Sequence, residues 1–154
     1  MTISIRSAEL NDASCLVAWA QAMALETEQK ILPDTHIVPG IAAGLANQQL
    51  ARYLVAEIDG VPAGTLMLTS EWSDWRNGLW LWIQSVYVEP EFRRKGVYRA
   101  LYAFVQELAK NDASICGIRL YVEKENHNAQ QTYQSLGMFD THYLIYEQAT
   151  RENK

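Results

Sequence analysis

The stretch Val86-Tyr87-Val88-Glu89-Pro90-Glu91-Phe92-Arg93-Arg94-Lys95-Gly96-Val97-Tyr98-Arg99-Ala100-Leu101 constrains the fold more than any other, because an apolar strand runs into a basic glycine turn that opens a helix. The first amides of a helix have no intrahelical partner and lie at the positive end of its dipole, so a phosphate placed there gains several hydrogen bonds at once. Gly96 lets an anion approach the backbone closely, and Arg93, Arg94 and Lys95 add positive charge around it. The segment reads as a site for a phosphorylated cofactor. Beyond Gly96, the residues Val97, Leu101, Phe104, Val105 and Leu108 recur at intervals of three and four, one apolar stripe suited to packing on a sheet.

The rest of the chain supplies elements for that helix to pack on. Thr2 to Arg6 alternates as a short strand, and Ser7 to Asp12 offers cap-type residues for a helix reaching about Glu28. A second helix is expected over about Thr35 to Asn47, with Pro39 and Gly40 as the place where it would split. Tyr53 to Ile58 and Val61 to Thr69 flank Asp59-Gly60 and predict a hairpin. A polar, aromatic loop over Trp72 to Gly78 leads to a strand, Leu79 to Val88. Downstream lie a strand over Cys116 to Val122, a short helix over Asn128 to Leu136 stopped by Gly137, a closing strand over Phe139 to Tyr146, and a polar tail from Gln148.

With 154 residues and no linker, repeat or low-complexity segment, residues 1–154 read as one α/β domain with a full core of its own. The net charge of −5 argues against a nucleic-acid binder, whose footprint is a basic face. Cys15 and Cys116 sit in apolar runs and read as buried thiols of a reducing compartment. The apolar run at residues 13–25 lacks the positive leader of a signal peptide, and no run reaches the ~18 apolar residues of a membrane span. A cytoplasmic protein is expected. His36, His127 and His142 are scattered without metal-ligand spacing, so no metal is expected.

Two motifs together carry a resemblance. Arg93-Arg94-Lys95-Gly96-Val97-Tyr98 is similar to the acyl-CoA signature of the GNAT superfamily of N-acyltransferases: Gln or Arg, two residues, Gly, one residue, then Gly or Ala. Asn126-His127-Asn128-Ala129-Gln130-Gln131-Thr132-Tyr133, followed by Leu136-Gly137-Met138-Phe139, resembles that family's Asn, Ala and Tyr ahead of a Leu-Gly-Phe ending. The resemblance covers almost the whole chain and implies a mixed, mostly antiparallel central sheet flanked by helices, with strands splayed at an acyl-CoA site. The chain departs from the signature at Tyr98, where relatives have a small residue, and at Met138, which holds the place of the usual Phe.

The resemblance also implies a chemistry. Acetyl-CoA is the donor, its pantetheine arm added as a strand beside Ser85, Val86, Tyr87 and Val88, its pyrophosphate on Arg93, Arg94, Lys95, Gly96, Val97 and Tyr98, with Asn126, Ala129 and Tyr133 completing the cofactor site. A backbone N–H near Tyr87 would face the thioester oxygen. The Tyr133 hydroxyl, protonated at neutral pH, would donate to the departing thiolate. Asn126 would hold the cofactor arm or the local turn.

The acceptor is a primary amine, which must lose a proton before it attacks. No acid lies within Leu79 to Val88, where many relatives place a Glu, so the candidate bases are Glu26, Glu28 and Glu71, with Asp74 behind them. Acids and indoles together at Glu71-Trp72-Ser73-Asp74-Trp75 with Trp80 and Trp82 suit a small cationic acceptor, although packing explains the tryptophans as well. Trp80 and Trp82 share one face of their strand, with Leu79, Leu81 and Ile83 on the other. Relatives are often homodimers, and Tyr143 to Tyr146 can pair across one. A catalytically silent acyl-CoA-binding sensor or partner-binding module is the alternative, motivated by Tyr98 and the missing strand acid.

Overall fold

A computed structural model describes residues 1–151 of the chain. They fall into two compact units, Met1–Leu120 and the segment from Tyr121 onward. The first unit holds β1 (Ile3–Ser7), α1 (Ala13–Glu28), α2 (Asp34–Ala46), β2 (Arg52–Ile58), β3 (Val61–Ser73), β4 (Gly78–Val88), α3 (Val97–Lys110) and β5 (Ile115–Arg119). Its sheet has the order β1-β2-β3-β4-β5. The first three pairings are antiparallel, and β4 and β5 run parallel with α3 as their crossover. The mixed, mostly antiparallel sheet expected from the sequence is therefore present.

Each face of the sheet has its own apolar layer. Leu54, Leu66, Leu68, Leu81 and Ile83 are buried, and the register places them on one face, the side on which Val97 of α3 approaches Gly64. Val97, Leu101 and Val105, the expected stripe of α3, are buried with them. The opposite face carries Val55 and Tyr87, which form a core with Leu16 and Trp19 of α1 and Ile41 of α2.

Several expected boundaries move for identifiable reasons. The second helix does not split at Pro39. Proline at that position removes only the bond its N–H would have given to the Thr35 carbonyl, and the helix runs on to Ala46. The expected loop at 72–78 shrinks to a turn at 74–77, because β3 extends to Ser73 and pairs with Gly78. Asp59 and Gly60, with φ of 49° and 83°, make the predicted hairpin turn. The strand expected over Cys116 to Val122 ends at Arg119.

In the second unit, α4 (His127–Ser135) is followed by Gly137 at φ 95°, the expected helix stop. The closing strand expected over Phe139 to Tyr146 is absent: no residue from 138 to 151 is in a strand. A run of β-forming residues becomes a strand only when a neighbour satisfies its amides and carbonyls. Here Phe139, Leu144 and Tyr146 stand exposed instead.

Candidate active site

Local backbone geometry builds the basic turn. Glu89 N–H donates to the Ala63 carbonyl at 2.8 Å, and Phe92 N–H to the Glu89 carbonyl at 2.9 Å, which folds Pro90–Phe92 into a single 3₁₀ turn. Arg94 at φ 64° and Gly96 at φ 87° then reverse the chain into α3. Ala100 N–H bonds the Gly96 carbonyl at 3.0 Å, so the amides before it point out of the helix end. A Cβ at Gly96 would meet nothing nearer than Ile3 Cδ1 at 4.0 Å, leaving open space over the turn. Arg94 and Lys95 are exposed beside it. The Tyr98 ring lies against Tyr102, centroids 6.3 Å apart, one turn along the helix.

Strand β4 supplies an open edge leading to this turn. It pairs with β5 only from Leu79 to Trp82, so Ile83 to Val88 continue without a β5 partner. On its other side β4 carries a bulge: Thr65 pairs with Tyr87 but Met67 with Gln84, leaving one extra residue on β4 with Ser85 at φ 54°. The bulge reverses the alternation of side chains. Unbroken, β4 would place Tyr87 with Leu81 and Ile83; bulged, it turns Tyr87 to the Gln84 face, where its ring lies 6.4 Å from that of Trp19. Gly64 makes the approach feasible, since a Cβ there would come 2.7 Å from the Tyr87 carbonyl oxygen.

Glu26, Glu71 and Glu28 are each in contact with other groups, while Asp74 lies in the turn between β3 and β4. Glu26 receives both arms of the Arg93 guanidinium at 2.8 and 2.9 Å, which holds its carboxyl below the usual range. Glu71 accepts from Arg119 at 3.0 Å and from Trp82 Nε1 at 2.9 Å. Glu28 is exposed, 3.7 Å from Lys30 Nζ. In the second unit, Asn126 caps α4, its side-chain oxygen accepting from Ala129 N–H at 3.2 Å. Tyr133 is half-buried on the same helix, and burial pushes its hydroxyl above the usual phenol range.

Residues 15–138 match the model of the acetyltransferase (GNAT) family. This chain belongs to that family. Among solved structures, a possible acetyltransferase from Clostridium difficile 630 is 40% identical over 99% of this chain and 100% of that one, with a TM-score of 0.92. A predicted acetyltransferase from Clostridium acetobutylicum, determined with acetyl-CoA, is 22% identical over 96% of both chains, with a TM-score of 0.78. AAC(6')-Iy, in complex with a bisubstrate analogue, is 19% identical over 98% of this chain and 100% of that one, with a TM-score of 0.76. No curated protein matches the sequence. The GNAT protein is thus an N-acetyltransferase with acetyl-CoA as co-substrate.

Two features of this acetyltransferase fit that co-substrate: the positive-φ glycine with open space at the start of α3, and the edge of β4 that β5 leaves uncovered. A third feature escaped sequence reasoning. Glu89, one residue beyond the strand searched for acids, accepts from buried Trp19 Nε1 at 2.6 Å and so binds α1 to the end of β4. Its only sequence signal was adjacency to Val88. The tryptophan group divides. Trp80 is already faced by Arg119 at 3.8 Å and Arg76 at 5.0 Å, and its ring fills the space a Cβ on Gly117 would take, whereas Trp72 and Trp75 are exposed. Among the described residues no cluster of three or more His, Cys, Asp or Glu comes together, and no helix is long and apolar enough to cross a membrane.

Proposed function

We propose that this enzyme transfers the acetyl group to a primary amine of a small cationic molecule by direct attack in a ternary complex. The observation that carries the reading is the departure of β5 from β4 after Trp82, which leaves an open strand edge running toward the α3 amides. Acetyl-CoA supplies an activated acyl thioester. The amides of residues 94–98 with Arg94 and Lys95 bind its phosphates, and the Ser85–Val88 edge takes the pantetheine arm.

A backbone N–H near Tyr87 stabilises the oxyanion. A carboxylate first takes the ammonium proton, and the free amine then adds to the acyl carbon to give the oxyanion. As that intermediate collapses the C–S bond breaks, Tyr133 protonates the sulfur, and the second proton shed by the nitrogen restores the phenol. Tyr133 and Asn126 take these roles from their resemblance to the family motif, and a family match that runs through residues 15–138 supports reading the chain as one catalytic domain. Glu28 and Glu71 are the candidate proton acceptors. Glu28 and Asp34, near the junction of α1 and α2, together with exposed Trp72 and Trp75, favour a cationic acceptor.

Free-thiol release from acetyl-CoA, measured across polyamines, amino acids, aminoglycosides and short peptides, tests the reading. Amine-dependent release with a polycationic acceptor is expected. Cofactor binding without release from any acceptor would favour the sensor instead. In the responsive assay, Glu28→Gln or Glu71→Gln should lower kcat/KM about 10²-fold at neutral pH, identifying the base.

A further inference from the structure

Arg93 occupies the first position of the cofactor turn, yet at the protein surface its guanidinium is engaged by other groups of the chain. Nε donates to the Val88 carbonyl at 2.9 Å, closing the last residue of β4 onto the turn. The two terminal nitrogens grip Glu26, on the last turn of α1, through paired contacts of 2.8 and 2.9 Å. Its Cζ lies 5.5 Å from the Tyr87 ring centroid. Two turns earlier on the same helix, Trp19 holds Glu89 at 2.6 Å, and its ring lies 6.4 Å from that of Tyr87. Helix α1 thus grips residues 87–93 at two points, Trp19 to Glu89 and Glu26 to Arg93.

We propose that the Glu26–Arg93 pair is a positioning clamp, which ties α1 to the end of β4 and sets the acetyl-CoA-binding turn without Arg93 itself contacting phosphate. The inference rests on reading the 93–98 turn as the acetyl-CoA site. A planar guanidinium suits this task, because it can engage a carboxylate with two parallel bonds while Nε meets a third acceptor. Arg93 therefore engages three groups on two elements at once: the Val88 carbonyl and the Tyr87 ring of β4, and the α1 terminus. Charge toward the phosphates is left to Arg94 and Lys95, which are exposed beside Gly96.

The two possible roles of Arg93 predict opposite signs for a change at Glu26. If Arg93 acted on the phosphate directly, neutralising Glu26 would release a cation and remove a nearby negative charge, and acetyl-CoA would bind more tightly. If the pair is a clamp, the same change loosens the turn and acetyl-CoA binds more weakly.

The test is acetyl-CoA affinity by isothermal titration calorimetry on the full chain, with the thermal midpoint measured for each variant. Glu26→Gln and Arg93→Ala are each expected to weaken acetyl-CoA binding about fivefold, and the double variant no more than either alone. The exchanged pair Glu26→Arg with Arg93→Glu restores the tie to α1 but not the bond to the Val88 carbonyl, and is expected to recover part of the affinity lost in Arg93→Ala. A merely structural contribution would move the thermal midpoint without this pattern of loss and recovery. Unchanged or tighter binding by Glu26→Gln, or an exchanged pair weaker than Arg93→Ala, would overturn the clamp. Because binding is read without an acceptor, failure of every amine to accept acetyl groups would count against the proposed transfer and leave this outcome intact.

Discussion

Tyr133 shows how one residue can be legible by motif while its environment is not. Its place after Asn126 and Ala129 marks it as the candidate acid; only the structure shows the burial that raises its hydroxyl pKa. A phenol acts as an acid only while protonated, so a raised value keeps the donor in place throughout the neutral range. Tyr133→Phe is expected to lower kcat about 10²-fold with a much smaller loss of acetyl-CoA affinity, checked by thiol release and calorimetry. Gly96 and Asn126 were equally readable, because a helix start and a cap are decided within three or four residues. Glu89 and the Glu26–Arg93 pair were not, since their partners lie 70 and 67 positions away along the chain.

At the scale of elements, the bulge in β4 decides what the active strand presents. Alternation in the sequence separates Trp80 and Trp82 from Leu81 and Ile83, and the register agrees as far as Gln84. After Ser85 the phase inverts, and no residue type announces it, for serine is an uncommon occupant of a positive φ. Gly64 is the element's other device. Its missing Cβ allows β3 to approach Tyr87 and Val88, so Gly64→Ala should force the two strands apart. We expect it to destabilise the protein by about 1–3 kcal/mol in urea unfolding and to weaken acetyl-CoA binding, a joint loss that a change remote from the strand edge would not give. The segment 139–146 teaches the converse: its composition is that of a strand, and composition alone does not supply a partner.

For the molecule as a whole, stability should depend on acid in a predictable direction. Asp12 accepts from Arg6 at 2.8 and 2.9 Å and from Glu9 N–H at 2.7 Å, and Arg6 also reaches Glu57 on β2. These bonds hold the Asp12 carboxyl below its usual value, the Arg6 contact foremost. A depressed carboxylate contributes stability that is fully present above the unfolded pKa of about 4 and is lost as pH falls through the lower folded value. Asp12→Asn is therefore expected to cost about 1–2 kcal/mol at neutral pH and to flatten the loss of stability below pH of about 4, as urea midpoints across that range would show. The sequence by itself determined the α/β class, the hairpin, the α3 stripe, the basic glycine turn and the motif that names the family. Each is written within a few neighbouring residues, where periodicity and backbone sterics act directly. Tertiary structure alone decided the phase of β4 beyond Ser85, the point where β5 leaves it, the pairing of Arg93 with Glu26 and the non-strand course of 139–146. All four depend on partners distant in the chain, which local propensity does not encode.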